Sequence, residues 1–556
     1  MDMITISVII LCHNTQGIEL CVENVAPQLH TEDELIVVDD HSTTNFWRHT
    51  ALKLPDCGRI IHVPGVGGNR SKNRNFGARN AKNDILVFMD GDIILSEHAI
   101  ELLRTAYGQC TDVAYIGTEH GMKFTLQQAQ LYYGREDYLQ LLALPKERER
   151  FYHDPLFSDW RSDDLRDPQD KPYFWLRFYT SFCAVRRDIF GQSGGFDENF
   201  QSWGAEDVDL GYRISQRGGI GYLSQVHSIH IPHNRDSFRN ELTNRQNTYY
   251  MLSKYLNWKF EALVVFGSTP SMLRTMEAVF QYIRAMELTP MSIQTRPNTL
   301  YIDAPCLVTW FDAEGNKTHA EMTGMAIPKQ NLSFTHVMIS EHIFLYPEIL
   351  IVRILQEALR VGQTVLLHKA GEPTRIAWSG VGSITGIPFP RICRYANELF
   401  DFQFEELGEN IRAVSSNVYR VTPDPWGQVE ADWSIEESVV LVNLSSAPDA
   451  TAADRYLTVG GWEILAMYHF LPYTSPEGRC LLCESIPGDF SRMNSTLVYC
   501  VDDVASVEDG KQWIAYRKQA GQELIFDFTH TPVPLRDCIP SDFSDIERCV
   551  RETERR

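Results

Sequence analysis

The sequence predicts an α/β protein whose first half forms a Rossmann-like, mixed but mostly parallel sheet, followed by one or two smaller α/β or α+β domains. Three observations predict it. Short β-branched apolar runs at Ile4–Leu11, Glu34–Val38 and Ile85–Met89 are separated by segments with helical spacing. Each run stops on a polar cluster, Cys12-His13-Asn14, Asp39-Asp40-His41-Ser42 and Asp90-Gly91-Asp92. Strand, helix, strand with a short return builds right-handed parallel crossovers, and ligands of such sheets sit at the carboxyl ends of the strands.

The bulk numbers bound the rest. At 556 residues the chain exceeds one core, and about three domains are expected. A formal charge of −22 argues against a nucleic-acid partner and against adhesion to anionic lipid. No apolar run reaches the ~20 residues needed to cross a bilayer, and Met1-Asp2-Met3 lacks the basic region of a secretory signal. A cytoplasmic protein with reduced thiols is the expectation. Of twelve cysteines, Cys480 and Cys483 form the Cys-x-x-Cys pair, without a second pair at zinc-ribbon spacing.

In chain order, Ile4–Leu11 is a buried strand and Gly17–Leu29 a helix; Glu34–Val38 runs into the Asp39-Asp40 loop. Arg59–Val63 is a third strand. It leads into the glycine-rich, basic segment Pro64–Arg79, which opens a helix. Arg70, Lys72, Arg74 and Arg79 there could hold a diphosphate, or the segment could be a surface loop with a helix cap. Asp84–Met89 is a fourth strand. Asp90 and Asp92, spaced by one glycine, can turn towards one hard divalent cation and the diphosphate it bridges. Ser96 is expected to cap the next helix.

Four segments, Ser7–Asn14, Val38–Ser42, Arg74–Ala78 and Phe88–Asp92, resemble the successive signature segments of family 2 glycosyltransferases with the GT-A fold. The resemblance implies a nucleotide-sugar donor. Asp40 would hold its base, through uracil; Asp39 would support the loop; Arg74 would lie near base or phosphates. Asp90 would contact ribose or donor sugar, and Asp92 would bind the metal.

Asp112–Gly117 is expected as a strand, after which the chain to Pro172 is dense in charge and proline. That region is either an insertion or a lid, with Phe151, Tyr152, Phe157 and Trp160 ordering it. Thr180–Phe190 returns to the sheet and enters a stretch, Gly194–Asp209, rich in carboxylates beside glycines. The bland reading is an acidic turn at a helix start, where acids favour the positive dipole end. But Trp203-Gly-Ala-Glu206-Asp207 resembles the acceptor-side element of β-1,4-galactosyltransferases and polypeptide N-acetylgalactosaminyltransferases. In the inverting members the aspartate of this pair is the general base, so the resemblance implies Asp207 for the proton removal that an acceptor hydroxyl needs near neutral pH. Glu206 would orient hydroxyls, Trp203 would form an apolar platform under a sugar, and Asp209 would pair with Arg213 at i+4. His230-Ile-Pro-His233, followed by Arg235-Asp236, resembles the galactosyltransferase segment that completes the metal site. His233 is the expected ligand beside Asp92, and His230 a second ligand or an acceptor contact. Mn²⁺ or Mg²⁺ is implied, imidazole favouring Mn²⁺.

Asn240–Tyr255 reads as a helix closing the catalytic domain at residue 260. A helical linker, 261–299, contains the spacing of Met272–Leu288. In 300–420, strands are expected at Thr299–Phe311, Thr318–Ile327 and Thr364–His368, with a helix at Pro347–Val361. That pattern is faintly similar to class I methyltransferases but has no Gly-x-Gly loop ahead of it. In 421–556, Val439–Asn443, Leu497–Val501 and Glu523–Asp527 read as strands of an α+β domain. Acceptor recognition, homo-oligomerisation or a second activity are the roles open to this half.

The function expected is a metal-dependent, inverting glycosyltransferase. It would move a hexose or N-acetylhexosamine, with galactose or N-acetylgalactosamine favoured, from a UDP-sugar to a hydroxyl of a glycan, peptide or small molecule. The rival is a nucleotide-sugar-binding regulatory module without turnover. A nucleotidyltransferase would need a glycine-rich loop where Cys12-His-Asn-Thr15 stands.

Overall fold

A computed structural model describes residues 4–15, 17–65, 67–109, 112–121, 142–153, 160–200, 203–233, 237–330 and 332–368; beyond these it describes strands only, at 402–408, 411–416, 438–441, 472–475, 478–483, 496–499 and 523–526. The chain forms two compact units, 1–235 with 269–274, and 236–268 with 275–556.

The first unit is built on an eight-stranded sheet: β1 Ile6–Cys12, β2 Glu34–Asp39, β3 Gly58–His62, β4 Ile85–Asp90, β5 Ile93–Leu95, β6 Ala114–His120, β7 Cys183–Arg186 and β8 Ile220–His230. Their order is β3-β2-β1-β4-β7-β6-β8-β5. Strands β3, β2, β1 and β4 are parallel neighbours, as are β6 and β8; β7 runs against both of its neighbours and β5 against β8. The parallel run is apolar on both faces because helices cover both, which removes the alternation a half-exposed strand would show.

The first helices are α1 Ile18–Val25, α2 Thr44–His49, α3 Arg70–Asn80 and α4 Ala99–Gln109, of which α1 and α4 pack with Val8, Ile10, Val37, Val87 and Met89 in one buried cluster. Helix α3, Arg70–Asn80, covers the other face. There Gly77 lies so close to the sheet that a Cβ would stand 2.5 Å from Ile9 Cγ2 and 2.8 Å from Val38 Cγ2. On the same side Phe88 meets Phe196 edge to face, with ring centroids 5.1 Å apart.

Register decides which polar residues meet. Cys12 pairs with Asp39 across β1 and β2, and Leu11 with Asp90 across β1 and β4. The polar ends of three strands are therefore level, and one sheet edge carries the chemistry.

Ser96 behaves differently from expectation. Its hydroxyl accepts from the backbone N–H of His227 at 3.0 Å, tying the β5 end to β8, and α4 begins only at Ala99. The charged region after β6 is partly helical, at Pro145–His153 and in the turn Pro168–Arg177, with Phe151 fully buried. Phe157 lies outside the described residues.

The second unit contains the helices Ser237–Tyr255 and Trp258–Phe266, so the former, expected to close the catalytic domain, falls here instead. Its seven-stranded sheet includes Thr299–Asp303 and Leu307–Phe311, a hairpin where one apolar run stood. Phe334–Ser340 and Gly362–His368 are parallel and joined through the helix Glu348–Val361. The strand expected at Thr318–Ile327 stops at Ala320, because the backbone beyond it winds onto the buried Glu261 carboxylate. That carboxylate accepts from the N–H groups of Thr323, Gly324 and Ala326. A five-stranded sheet contains Ser438–Leu441, Thr496–Tyr499 and Glu523–Phe526, and its strand Gly478–Cys483 carries Cys480 and Cys483. Among the described residues no helix is long and apolar enough to cross a membrane.

Candidate active site

Asp39 ends β2 with its carboxylate turned back into its own loop. It accepts from Ser42 N at 3.0 Å and Trp47 Nε1 at 3.3 Å, and His62 Nδ1 lies 2.8 Å away. Burial works to raise its pKa, but these hydrogen bonds, Ser42 foremost, outweigh burial and hold it below the usual aspartate range. The contacts of Asp39 thus lie within its own loop and with His62 at the end of β3. Asp40, 6% exposed, receives the N–H of Gly68 on both oxygens, at 3.1 and 3.0 Å. The glycine-rich segment folds over it, so closely that a Cβ on Gly67 would collide with Asp40 Oδ1. An ionised carboxylate has about four acceptor positions, so room remains for a ligand N–H.

The basic segment divides. Arg70 and Lys72 are exposed at the start of α3, after the Asn69 cap that accepts from Lys72 N. Arg74, expected near base or phosphates, is 2% exposed and bridges two carboxylates: Nη1 donates to Glu206 and Nη2 to Asp90, each at 2.8 Å. Its guanidinium lies over the Phe196 ring, 5.5 Å from the centroid. Arg79 is exposed, 3.8 Å from Glu198.

Asp90 keeps 35% of its side chain open, unlike Glu206 beside the same arginine at 4%. Desolvation and the adjacent Asp92 push the Asp90 carboxyl up, against the pull of Arg74. Glu206 and Asp207 open the helix Glu206–Ser215, following Gly204 and Ala205, which both take positive φ. That turn lets Gly204 N donate back to Glu206 Oε2 at 3.1 Å. Asp207 accepts from Val208 N at 2.8 Å. Desolvation, then the like charge of Glu206, raise its pKa to about 7 against the pull of Arg74. Water at its partly exposed surface opposes the shift. Asp209 is fully buried and takes Arg213 Nε and Nη2 at 2.9 and 2.6 Å, so it is structural, as its i+4 spacing implied. Trp203 is half-buried just before this turn.

At the far edge of the sheet, Asp92 stands immediately before β5. Ile93 is paired with His230, the last residue of β8, and Ile231 N donates to Asp92 O at 2.8 Å. The ladder thereby carries three ligand-type side chains together. Asp92 Oδ2 lies 3.4 Å from His230 Nε2 and 3.2 Å from His233 Nε2, and all three ligand atoms lie within 4.8 Å of one another. One carboxylate and two imidazoles form a mixed oxygen and nitrogen donor set of the kind that holds a first-row divalent transition-metal ion. Arg235 and Asp236 lie outside the described residues.

Sequence reasoning missed Asn75. Its amide accepts from Phe196 N at 2.8 Å and donates to Phe196 O at 2.8 Å and Glu198 Oε1 at 3.0 Å. An asparagine in mid-helix, where its intrinsic propensity is poor, was the signal available.

Residues 7–191 match the family model described as Glycosyl transferase family 2, and residues 166–233 the one described as N-terminal domain of galactosyltransferase. The resemblance carried by the signature segments is therefore shown for the first unit. Among curated relatives, Validoxylamine A glucosyltransferase of Streptomyces hygroscopicus subsp. jinggangensis is 29% identical over 213 residues, 37% of this chain and 49% of that protein. N-acetylgalactosaminyltransferase 6 of Drosophila melanogaster is 26% identical over 240 residues, 39% of this chain and 32% of that protein. The chain thus spans half or less of the length of these relatives. A solved structure of GalNAc-T7 with UDP, GalNAc and Mn²⁺ covers 47% of this chain and 50% of that one, at 14% identity and a TM-score of 0.33, a likeness too low to bear on the site.

Proposed function

We propose that this chain, whose first unit carries a family 2 glycosyltransferase domain, is a metal-dependent inverting enzyme. It transfers a hexose or N-acetylhexosamine from a UDP-sugar to a hydroxyl of a glycan, peptide or small molecule. The observation that carries the reading is the pairing of Asp90 with Glu206 through Arg74, beside an Asp207 whose pKa is raised to about 7. A carboxylate poised there suits proton removal from an alcohol at neutral pH.

In this reading Asp40 accepts an N–H of the base, and Asp39 holds the loop that presents it. Asp90 receives ribose or donor-sugar hydroxyls on its open side. Asp92, His230 and His233 would hold a divalent ion, which when bound neutralises charge developing on the departing diphosphate. Arg70 and Lys72 add positive charge from the start of α3. Asp207 takes the acceptor proton as the hydroxyl oxygen attacks the anomeric carbon, and the carbon–oxygen bond to the diphosphate breaks on the opposite face, which inverts the centre. Glu206, buried on Arg74 and the Gly204 N–H, sets the orientation of hydroxyls through the neighbouring Asp207 and Asp90 that it helps to fix, and Trp203 offers an apolar face to a sugar ring.

The test is incubation of the full-length protein with a panel of nucleotide sugars and Mn²⁺, following nucleoside-diphosphate release with and without simple glycoside acceptors. Release from a UDP-hexose or UDP-N-acetylhexosamine, giving product of opposite anomeric configuration, is expected. Tight UDP binding with no release from any donor would leave a binding module instead.

A further inference from the structure

We propose that Asn75 is a positioning residue that clasps the acceptor turn onto the donor-side helix, so that Glu206 and Asp207 are held at a fixed station relative to Asp90. For its kinetic arm the proposal rests on the glycosyl-transfer reading above; for its structural arm it does not.

Asn75 is 7% exposed, and its amide has two N–H donors and one carbonyl to satisfy. All three are matched by the turn that follows Gly195. The carbonyl takes Phe196 N–H, while the amino group gives its hydrogens to Phe196 O and to the Glu198 carboxylate. The pattern admits one orientation of the amide, since a backbone N–H needs an oxygen opposite it. Approach is close: Gly195 has φ of 67°, and a Cβ there would stand 2.7 Å from Asn75 Oδ1. Asn69, the cap of the same helix, adds a bond to Glu198 O at 3.0 Å.

Arg74, one residue earlier, holds the other end of the same stretch by its bond to Glu206 at 2.8 Å. Helix α3 itself cannot drift, because Gly77 sits directly on Ile9 and Val38 of β1 and β2. The strands that end at Asp39 and the turn that leads to Asp207 are therefore joined through one helix, and Asn75 is the uncharged joint with the most bonds to the turn, three against the one from Asn69. Losing it loosens the turn, which Asn69 still holds at Glu198 O and Arg213 at Gly195 O, while leaving the Asp40 pocket and the Asp92 cluster intact. Donor binding and proton abstraction should then come apart.

The test is Asn75→Asp, which keeps the shape, removes both N–H donors and opposes a charge to Phe196 O and Glu198. UDP affinity should stay within about twofold, since no donor contact changes. Transfer kcat should fall by about 10²-fold, the cost of misplacing a reacting group by about 1 Å. Donor hydrolysis by water, which needs no oriented acceptor, should fall far less. Adding Glu198→Gln gives the introduced carboxylate a new N–H partner and should recover about tenfold of the loss, one hydrogen bond's worth. Backbone amides of Gly195–Phe200 should exchange faster in Asn75→Asp, those of β1 and β4 unchanged. Transfer at the wild-type rate, UDP affinity falling in step with transfer, or no recovery in the double variant would overturn the proposal. If the wild-type protein transfers no sugar from any donor, the functional reading falls, and the exchange experiment decides the clasp alone: unaltered exchange at Gly195–Phe200 would refute it.

Discussion

The pH dependence of transfer should report Asp207. Burial, then the neighbouring Glu206, raise its pKa to about 7, with Arg74 pulling the other way. A base must be ionised to act, so rate follows the ionised fraction, about one tenth at pH 6 and about nine tenths at pH 8 for a group near 7. Transfer kcat/KM, measured at saturating UDP-sugar and Mn²⁺, should therefore rise about tenfold between those pH values and level off above. An ordinary aspartate, near 3.9, would give a flat line there. Glu206→Gln removes the like charge and should move the rising limb to lower pH. Asp207→Asn should cut transfer by about 10²–10⁴-fold, with UDP affinity kept. A flat profile from about pH 5.5 to 8 in intact protein, or turnover retained by Asp207→Asn, would refute the assignment. The sign for stability is opposite to that for rate. A folded-state pKa above the unfolded value of about 3.9 favours the protonated fold, so this group's contribution is full below about pH 4 and is lost as pH rises through about 7.

Other substitutions test other parts. Asp92→Asn should weaken Mn²⁺ binding by about tenfold or more, read by calorimetry with the metal alone, because a charged ligand becomes neutral. Gly77→Ala should lower stability by about 1–3 kcal/mol in denaturant titration, since its Cβ would overlap Ile9 and Val38; an unchanged midpoint would mean α3 can lift from the sheet. Glu261→Gln should cost about 1–3 kcal/mol in thermal unfolding, because an amide NH₂ would face backbone donors that the carboxylate now accepts from.

The parallel strands were legible because burial on both faces leaves continuous apolar runs, and their polar ends mark the ligand edge without any tertiary knowledge. Asp39, Asp40, Asp90 and Asp92 could be placed on that edge from the sequence. The partners of Arg74 could not be read. A cation in a glycine-rich segment reads as a phosphate ligand, and only the fold reveals that Glu206, far along the chain, is one of its counter-charges. Asn75 was hidden for the same reason, since its partners are mainly backbone atoms that leave no mark in sequence. The early end of the strand after Lys317 likewise depends on Glu261, a carboxylate distant in sequence whose burial only the fold reveals.

The pairing of β5 with β8 has a consequence for synthesis. Asp92 is made early, while His230 and His233 arrive only with the last strand of the sheet. In the strand order β5 stands at the edge with β8 as its neighbour. A chain halted before β8, which begins at Ile220, would hold the sites assigned to base and ribose but neither imidazole, nor the partner that fixes β5. Contacts of such sequence separation form slowly, after local ones. On the metal assignment proposed above, acquisition of divalent-ion affinity during refolding would mark completion of this sheet, and a nascent chain would gain its nucleotide contacts before its metal contacts.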